Sequence, residues 1–168
     1  MNMPKRELVI YPDPLLREST QEVTEFGKEL HQLLDDMAET MYEESGIGLA
    51  APQVGVLSRV TVIDVSSDRD SRIELINPTI VEHEGEVTSE EGCLSIPDYR
   101  DSVTRAKKIL FKAFDRFGKP FEMEADDLFS ICVQHELDHL DGVLFVDRLS
   151  RLKKEMFKKW FKKHGPLS

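Results

Sequence analysis

The stretch DLFSICVQHELDHLD, residues 127–141, decides the fold because it predicts a helix that carries apolar and metal-ligating side chains together. Asp126 directly before it is a favourable N-cap residue, and Gly142 directly after it is a typical helix stop. The two end signals fix the length of the helix. We expect the rest of the chain to pack around this segment.

The rest of the sequence predicts strands between two further helices. Hydrophobic spacing near 3.6 residues predicts an N-terminal helix over 26–44, between Thr24 and Gly46, and a C-terminal helix over 150–163, ended by Gly165-Pro166. β-Branched and aromatic runs predict strands at 60–65, 73–76, 79–87 and 109–115, with a turn at 115–118 leading into 121–124. Strands that cluster without βαβ alternation indicate an α+β fold, with mainly antiparallel β-sheets packed around a central metal-binding helix.

Composition limits the class of protein. The chain has 168 residues, 40% hydrophobic and 32% charged, which predicts one domain over 1–168 and excludes a disordered tail. No apolar run approaches the ~18 residues that span a bilayer, so no membrane contact is predicted. The two cysteines are too few for a secreted disulfide scaffold and favour a cytoplasmic location. A net charge of −10 argues against general nucleic-acid or specific DNA binding.

Charge is unevenly distributed along the chain. Residues 151–168 contain seven Lys or Arg side chains and a single acid, Glu155, so this basic amphipathic segment follows an acidic body. A solvated helix face is the usual explanation of such a pattern. Docking on ribosomal RNA through phosphate contacts is the alternative hypothesis.

The central helix contains the pattern H-E-x-x-H at His135, Glu136 and His139. Residues four apart lie on one helix face, so both imidazoles can reach one metal ion. Glu136 is about 100° further round the helix, where its carboxylate can take a proton from water activated by the ion. The pattern therefore predicts a hydrolytic metal centre.

A catalytic centre of this kind needs a third protein ligand and an open fourth position. The candidates are Cys93, Cys132, Glu155 and His164, followed by His31 and His83. Cys132 precedes His139 by seven residues, a rise of about 10.5 Å, which is too far for a shared ion. Cys93, directly after Gly92, is the leading choice.

Two groups of residues predict the surroundings of the ion. Leu128, Ile131 and Cys132 lie on the helix face one turn before His135, where they predict hydrophobic core, an apolar pocket, or both. The stretch GIGLAAPQ, residues 46–53, allows close approach of main chain to a ligand and could pair with a peptide as an added strand. Within it, the Gln53 amide is suited to stabilising a developing oxyanion.

Three ordered motifs resemble those of peptide deformylases. They are G-x-G-x-A-A-x-Q at 46–53, E-G-C-x-S at 91–95 and Q-H-E-x-D-H at 134–139, and Leu94 in the second is similar to the bacterial-type branch. The resemblance implies hydrolysis of the N-formyl group from formylmethionine on nascent polypeptides. It implies one Fe²⁺ per chain, which Zn²⁺, Ni²⁺ or Co²⁺ could replace.

The resemblance also implies roles for individual residues. The implied metal ligands are Cys93, His135 and His139. The implied catalytic residues are Glu136 as acid/base, with Gln53 and the Leu94 N–H as oxyanion donors. The implied substrate-binding residues are Ile47, Gly48, Arg100, Leu128, Ile131 and Cys132, with an ordinary surface position as the alternative for Arg100. Ile47 and Gly48 would pair with substrate main chain. Leu128, Ile131 and Cys132 would line the methionine pocket.

Two other functions compete with this prediction. One is an H-E-x-x-H metallopeptidase with a downstream third ligand, for which Glu155 is the candidate. The other is a non-catalytic, ribosome-associated module with a structural ion, which only the basic segment supports.

Overall fold

Both faces of the central sheet are covered by helices. The computed structural model describes residues 6–165, so Pro166 and the last residues of the predicted basic segment lie outside the described residues. The helices are α1 (Lys28–Glu43), α2 (Asp127–Leu140) and α3 (Arg151–His164). The strands are β1 (Gly48–Ala50), β2 (Val60–Ile63), β3 (Ile73–Glu84), β4 (Val87–Cys93), β5 (Ile96–Arg105), β6 (Lys108–Phe114) and β7 (Pro120–Asp126).

The strands form two antiparallel sheets. Five of them pair in the order β1-β2-β3-β6-β7, and β4 and β5 form a separate hairpin. This arrangement confirms the α+β prediction. The strand predicted at 79–87 is wrong in its bounds, because β3 runs from 73 to 84 and a turn at Gly85 separates it from β4.

Helix α1 packs on one face of the five-stranded sheet and α2 on the other. Alternate residues of β2 show this, since Val60 and Val62 belong to the apolar cluster of α1, whereas Ile63 belongs to that of α2. All four residues of β2 are buried as a result. Helix α2 lies next to β1, β2, β6 and β7, which places its polar residues beside the edge strand β1.

Helix α3 closes a third apolar cluster together with the β4–β5 hairpin and the 3₁₀ turn Phe145–Arg148. Phe157 is its buried residue, and Tyr99 of β5 packs against Phe157 and Trp160 with ring centroids 4.8 and 4.9 Å away. None of the helices within residues 6–165 combines the length and apolar composition needed to cross a membrane.

Candidate metal centre and cleft

A cleft of about 790 Å³ opens between β1, the β4–β5 hairpin and α2. Its lining includes most of the residues that the sequence singled out: Ile47, Gly48, Gln53, Cys93, Leu94, Arg100, Leu128, Ile131, Cys132, His135 and Glu136. His139 lies behind this lining and is almost fully buried. The fold therefore brings the predicted site residues together from three separate parts of the chain.

The cluster Cys93, His135 and His139 has the geometry of a metal site. One potential ligand atom from each residue lies within 4.8 Å of the others, and Cys93 Sγ is 3.3 Å from His139 Nε2. Tetrahedral coordination by sulfur and nitrogen puts such atoms about 3.6 Å apart. Within residues 6–165, this is the one group of three or more His, Cys, Asp or Glu residues with suitable spacing.

The other candidate ligands lie elsewhere. Glu155 is exposed and contacts Lys158, and His31 contacts the carbonyl of Arg116. His164 stacks on Trp160 at the end of α3. Cys132 lines the cleft but does not belong to the convergent cluster, and its Sγ donates to the Ile47 carbonyl at 3.7 Å.

A chain of charged groups behind the cluster fixes the orientation of His135. Its Nδ1 lies 3.0 Å from Glu91 Oε1, and Glu91 is held by two hydrogen bonds from Arg105. Arg105 also donates to Asp138, which receives further bonds from Arg148. A carboxylate that accepts the ring N–H of a ligating histidine sets its tautomer. The sequence analysis gave no role to Glu91, Arg105 or Asp138. A search for a carboxylate that could accept the ring N–H of each ligating histidine would have made Glu91 a candidate.

The two imidazoles have opposite electrostatic environments. Burial opposes protonation of His135, but Cys93 and Glu91 outweigh burial and raise its pKa well above the ordinary value. The protonated form of His135 is therefore favoured, and a metal ion has to displace this proton to bind. Burial holds the pKa of His139 well below the ordinary value, so this ring is neutral, as metal ligation requires.

Glu136 is buried beside the cluster. Burial raises its pKa to about 7, so the carboxyl group can both take up and release a proton near neutral pH. Its Oε1 and the Nδ1 of His139 have no hydrogen-bond partner among the described residues. Buried polar atoms without partners are uncommon and cluster where a ligand or ion is to be bound. The donor set and the unpartnered Glu136 Oε1 both fit a metal centre.

Glycine is required where β1 passes α2. A Cβ on Gly48 would lie 2.5 Å from Glu136 Oε2 and 2.9 Å from Cys132 Sγ. The main chain of β1 therefore lies directly against the carboxylate. Gln53 follows in the 3₁₀ turn Ala51–Val54, where its Oε1 accepts from the Ala50 N–H and its Nε2 points to Cys93 Sγ (3.5 Å) and Ser95 Oγ (3.2 Å).

The remaining predicted residues lie along the cleft walls. Ile131 and Cys132 are buried, whereas Leu128 is 50% and Ile47 38% exposed, so an apolar surface continues from the interior to the rim. Arg100 is exposed on β5 and pairs with Glu90 across the hairpin at 2.8 Å. It lines the cleft opposite Gly92, the residue directly before Cys93.

Comparison with known proteins places the chain in a family. The sequence profile of polypeptide deformylase matches residues 5–155. The chain belongs to the polypeptide deformylase family. A peptide deformylase of Chromobacterium violaceum is 55% identical over 153 residues, covering 91% of this chain and 92% of that protein. One of Acidobacterium capsulatum is 52% identical, covering 90% of each.

A solved structure of the family has the same fold. The crystal structure of a peptide deformylase from Legionella pneumophila is 47% identical in sequence, with a TM-score of 0.90 and 95% of both chains covered. The chain is thus an enzyme of a metal-dependent family that removes the formyl group from N-formylmethionyl nascent chains. The metallopeptidase and structural-ion alternatives are not favoured.

Proposed function

We propose that this cleft performs the deformylation with one divalent ion held by Cys93, His135 and His139, and with Glu136 as the group that moves the proton. One observation carries the proposal: a thiol and two imidazoles converge within 4.8 Å beside a buried carboxyl group whose pKa is about 7. We further propose that residues 1–168 form a single catalytic domain.

The proposed ion is Fe²⁺, with Zn²⁺, Ni²⁺ or Co²⁺ as substitutes. A soft thiolate with two imidazoles suits all four ions, so the donor set supports the class of metal. When bound, such an ion supplies Lewis-acid chemistry that stabilises negative charge on oxygen.

The residues around the ion account for the proton transfers. Glu136 takes a proton from the water whose oxygen forms a bond to the formyl carbon. It then delivers this proton to the amide nitrogen as the C–N bond breaks. The products are a free amine and formic acid, and the acid loses its remaining proton to become formate. The Gln53 Nε2–H and the Leu94 N–H donate to the oxyanion that develops between these steps.

The walls of the cleft fit an extended peptide with an apolar first side chain. β1 is the edge of its sheet, so substrate main chain would pair along Ile47 and Gly48. The Ile47 carbonyl already accepts from the Asp64 N–H, which leaves the N–H of Ile47 and the main-chain groups of Gly48 for the substrate. Leu128, Ile131 and Cys132 would surround the methionine side chain. Arg100 lies where the following residues of the substrate would leave the cleft.

The test is formate release from a formyl-methionyl peptide without oxygen, with metal content measured on the same sample. Glu136→Gln is expected to retain metal and to lower kcat about 10²–10⁴-fold, the usual contribution of a general acid–base group. Cys93→Ala is expected to lose both metal and activity, whereas Cys132→Ala keeps the metal. Full metal content in Cys93→Ala would refute the ligand assignment.

Contact with the ribosome is a separate proposal. Helix α3 places Lys154, Lys158 and Lys162 outside the apolar cluster, and a cationic helix can bind RNA phosphates. Changing these lysines to Glu should weaken ribosome binding and its salt dependence, with Lys119→Glu as control. Unchanged, salt-insensitive binding would contradict the proposal.

A nascent-chain substrate and two free thiols favour a cytoplasmic location.

A further inference from the structure

The rim of the cleft between α1 and β1 is tied to a distant part of the chain. Gly46 and Ile47 line the cleft, and both of their carbonyls are engaged by the β2–β3 connection, residues 64–72. Arg69 Nη2 donates to the Gly46 carbonyl, and the Asp64 N–H donates to the Ile47 carbonyl at 2.9 Å. The Gly46 N–H in turn bonds the Met41 carbonyl at 2.9 Å. The main chain that leads into β1 is therefore fixed from both sides.

Arg69 is itself held in place by two residues. Its Nη1 donates to the Asp64 carbonyl at 3.1 Å, and its guanidinium carbon lies 5.0 Å from the centre of the Tyr42 ring. The Tyr42 hydroxyl donates to Asp64 Oδ2 at 2.6 Å, so each of these three residues contacts the other two. We call Tyr42, Asp64 and Arg69 the Arg69 clamp.

Further hydrogen bonds hold Asp64 of the clamp in place. Asp64 is fully buried, and its carboxylate also accepts bonds from the N–H and hydroxyl of Ser66 and from the N–H of Ser71. Arg69 adopts a left-handed backbone conformation, with φ of 59°, which turns its side chain back over the connection. A side chain fixed by so many contacts can hold a neighbouring loop in one conformation.

We propose that Arg69, supported by Tyr42 and Asp64, is a positioning residue that presets the Gly46–Gly48 main chain for pairing with the substrate backbone. This inference rests on the proposed function, since it assumes that an extended peptide adds to β1. A strand edge that is ordered beforehand binds a peptide with less loss of conformational entropy. Two glycines in three residues make this segment costly to order without an external hold.

The first experiment measures how the clamp affects substrates of different length. In Arg69→Ala, KM for a formyl-methionyl tripeptide should rise about fivefold, the effect of losing one hydrogen bond, with kcat within about twofold of wild type. KM for formylmethionine amide, which has fewer main-chain groups to pair, should change less. Arg72→Ala is the control, because Arg72 is in the same connection but pairs with Asp35 and Glu74.

Milder variants keep the test valid if Arg69→Ala fails to fold. Arg69→Lys retains a hydrogen-bond donor, so its KM for the tripeptide should rise less than that of Arg69→Ala. Tyr42→Phe keeps the ring beneath the guanidinium and loses only the bond to Asp64, so its effect should be smaller. An unchanged ratio of the two KM values, or an equal fall in kcat on both substrates at full metal content, would overturn the proposal.

Amide hydrogen exchange supplies a readout that does not depend on activity. The N–H groups of Ile47 and Gly48 should exchange faster in Arg69→Ala than in wild type or Arg72→Ala. If wild type released no formate, the proposed function would fail, while exchange would still report on the clamp. Equal exchange rates in all three proteins would show that Arg69 does not order this edge.

Discussion

At the residue scale, the cleft shows how small the tolerances around one carboxylate are. Glu136 Oε2 lies against the main chain of Gly48, and its Oε1 has no hydrogen-bond partner within residues 6–165. Burial favours the protonated form of this group and raises its pKa to about 7. The position of this carboxyl group depends on the absence of a side chain at residue 48.

Gly48→Ala tests this dependence. The new Cβ would lie 2.5 Å from Glu136 Oε2, so the carboxyl group must move. A displacement of about 1 Å at a catalytic group can lower the rate about 10²-fold, and we expect kcat to fall by that order with metal content unchanged. Gly27→Ala is the control, since a Cβ there meets nothing within 4 Å. Equal rates for the two variants would contradict the prediction.

Glu91 is expected to control metal affinity through His135. Glu91→Gln keeps the size of the side chain but removes the charge that faces the imidazole Nδ1 and Arg105. Loss of such a partner lowers metal affinity about 10–100-fold. Competition with a chelator measures the change. Glu124→Gln, an exposed residue that pairs with Lys108, should behave as wild type.

At the scale of elements, α3 combines a buried anchor with an exposed cationic surface. Phe157 is buried against Tyr11 and Tyr99, whereas Leu152 and Met156 are 72% and 55% exposed. The helix is therefore held by few residues. Removal of the whole helix would uncover the cluster that also supports the β4–β5 hairpin.

Phe157→Ala should destabilise the protein by about 3–5 kcal/mol, as expected for truncation of a buried aromatic side chain. Met156→Ala, one residue away, should change the free energy of unfolding by about 0.5 kcal/mol or less. Denaturant unfolding of the two variants provides the comparison. Similar midpoints for both would show that α3 is not packed as described.

At the scale of the whole molecule, the Tyr42–Asp64 bond links α1 to the end of β2 and makes stability depend on pH. Burial opposes ionisation of Asp64, but hydrogen bonds from Ser66 and Tyr42 outweigh it and lower its pKa from 3.8 to about 2. The resulting stabilisation is complete above pH 4 and is lost as the pH falls towards 2. Burial and Asp64 raise the pKa of Tyr42 from 10.0 to about 12. The stabilisation from Tyr42 is therefore complete below pH 10 and is lost as the pH rises to about 12.

The expected result is a stability difference between wild type and Asp64→Asn that is constant from pH 7 to about 4 and narrows below it. Urea unfolding at several pH values measures this difference. The stability difference between wild type and Tyr42→Phe should narrow as the pH rises from 10 to 12. A stability difference that stays constant across either pH range would show that the residue concerned, Asp64 or Tyr42, does not cause the pH dependence.

The sequence predicted the helices better than the hairpin. Helix signals are local, and α2 begins directly after Asp126, as expected, and ends at Leu140, two residues before Gly142. The β4–β5 hairpin was missed as a unit because its residues are mostly polar and partly exposed on both faces, which leaves little alternation to detect. Cys93 accordingly lies at the end of a strand, whereas the sequence suggested a position after one.

The sequence by itself determined the chemistry of this protein, because H-E-x-x-H on one helix face and the three ordered motifs are properties of local spacing and residue type. Only the tertiary structure decided which distant groups meet. Cys93 Sγ reaches His139 through the hairpin, Glu91 reaches His135 through the pairing of β4 with β5, and Arg69 reaches Gly46 across the β2–β3 connection. These contacts depend on strand pairing and packing between segments far apart in the chain. The ordered motifs implied the first of them, whereas no local pattern encodes the other two.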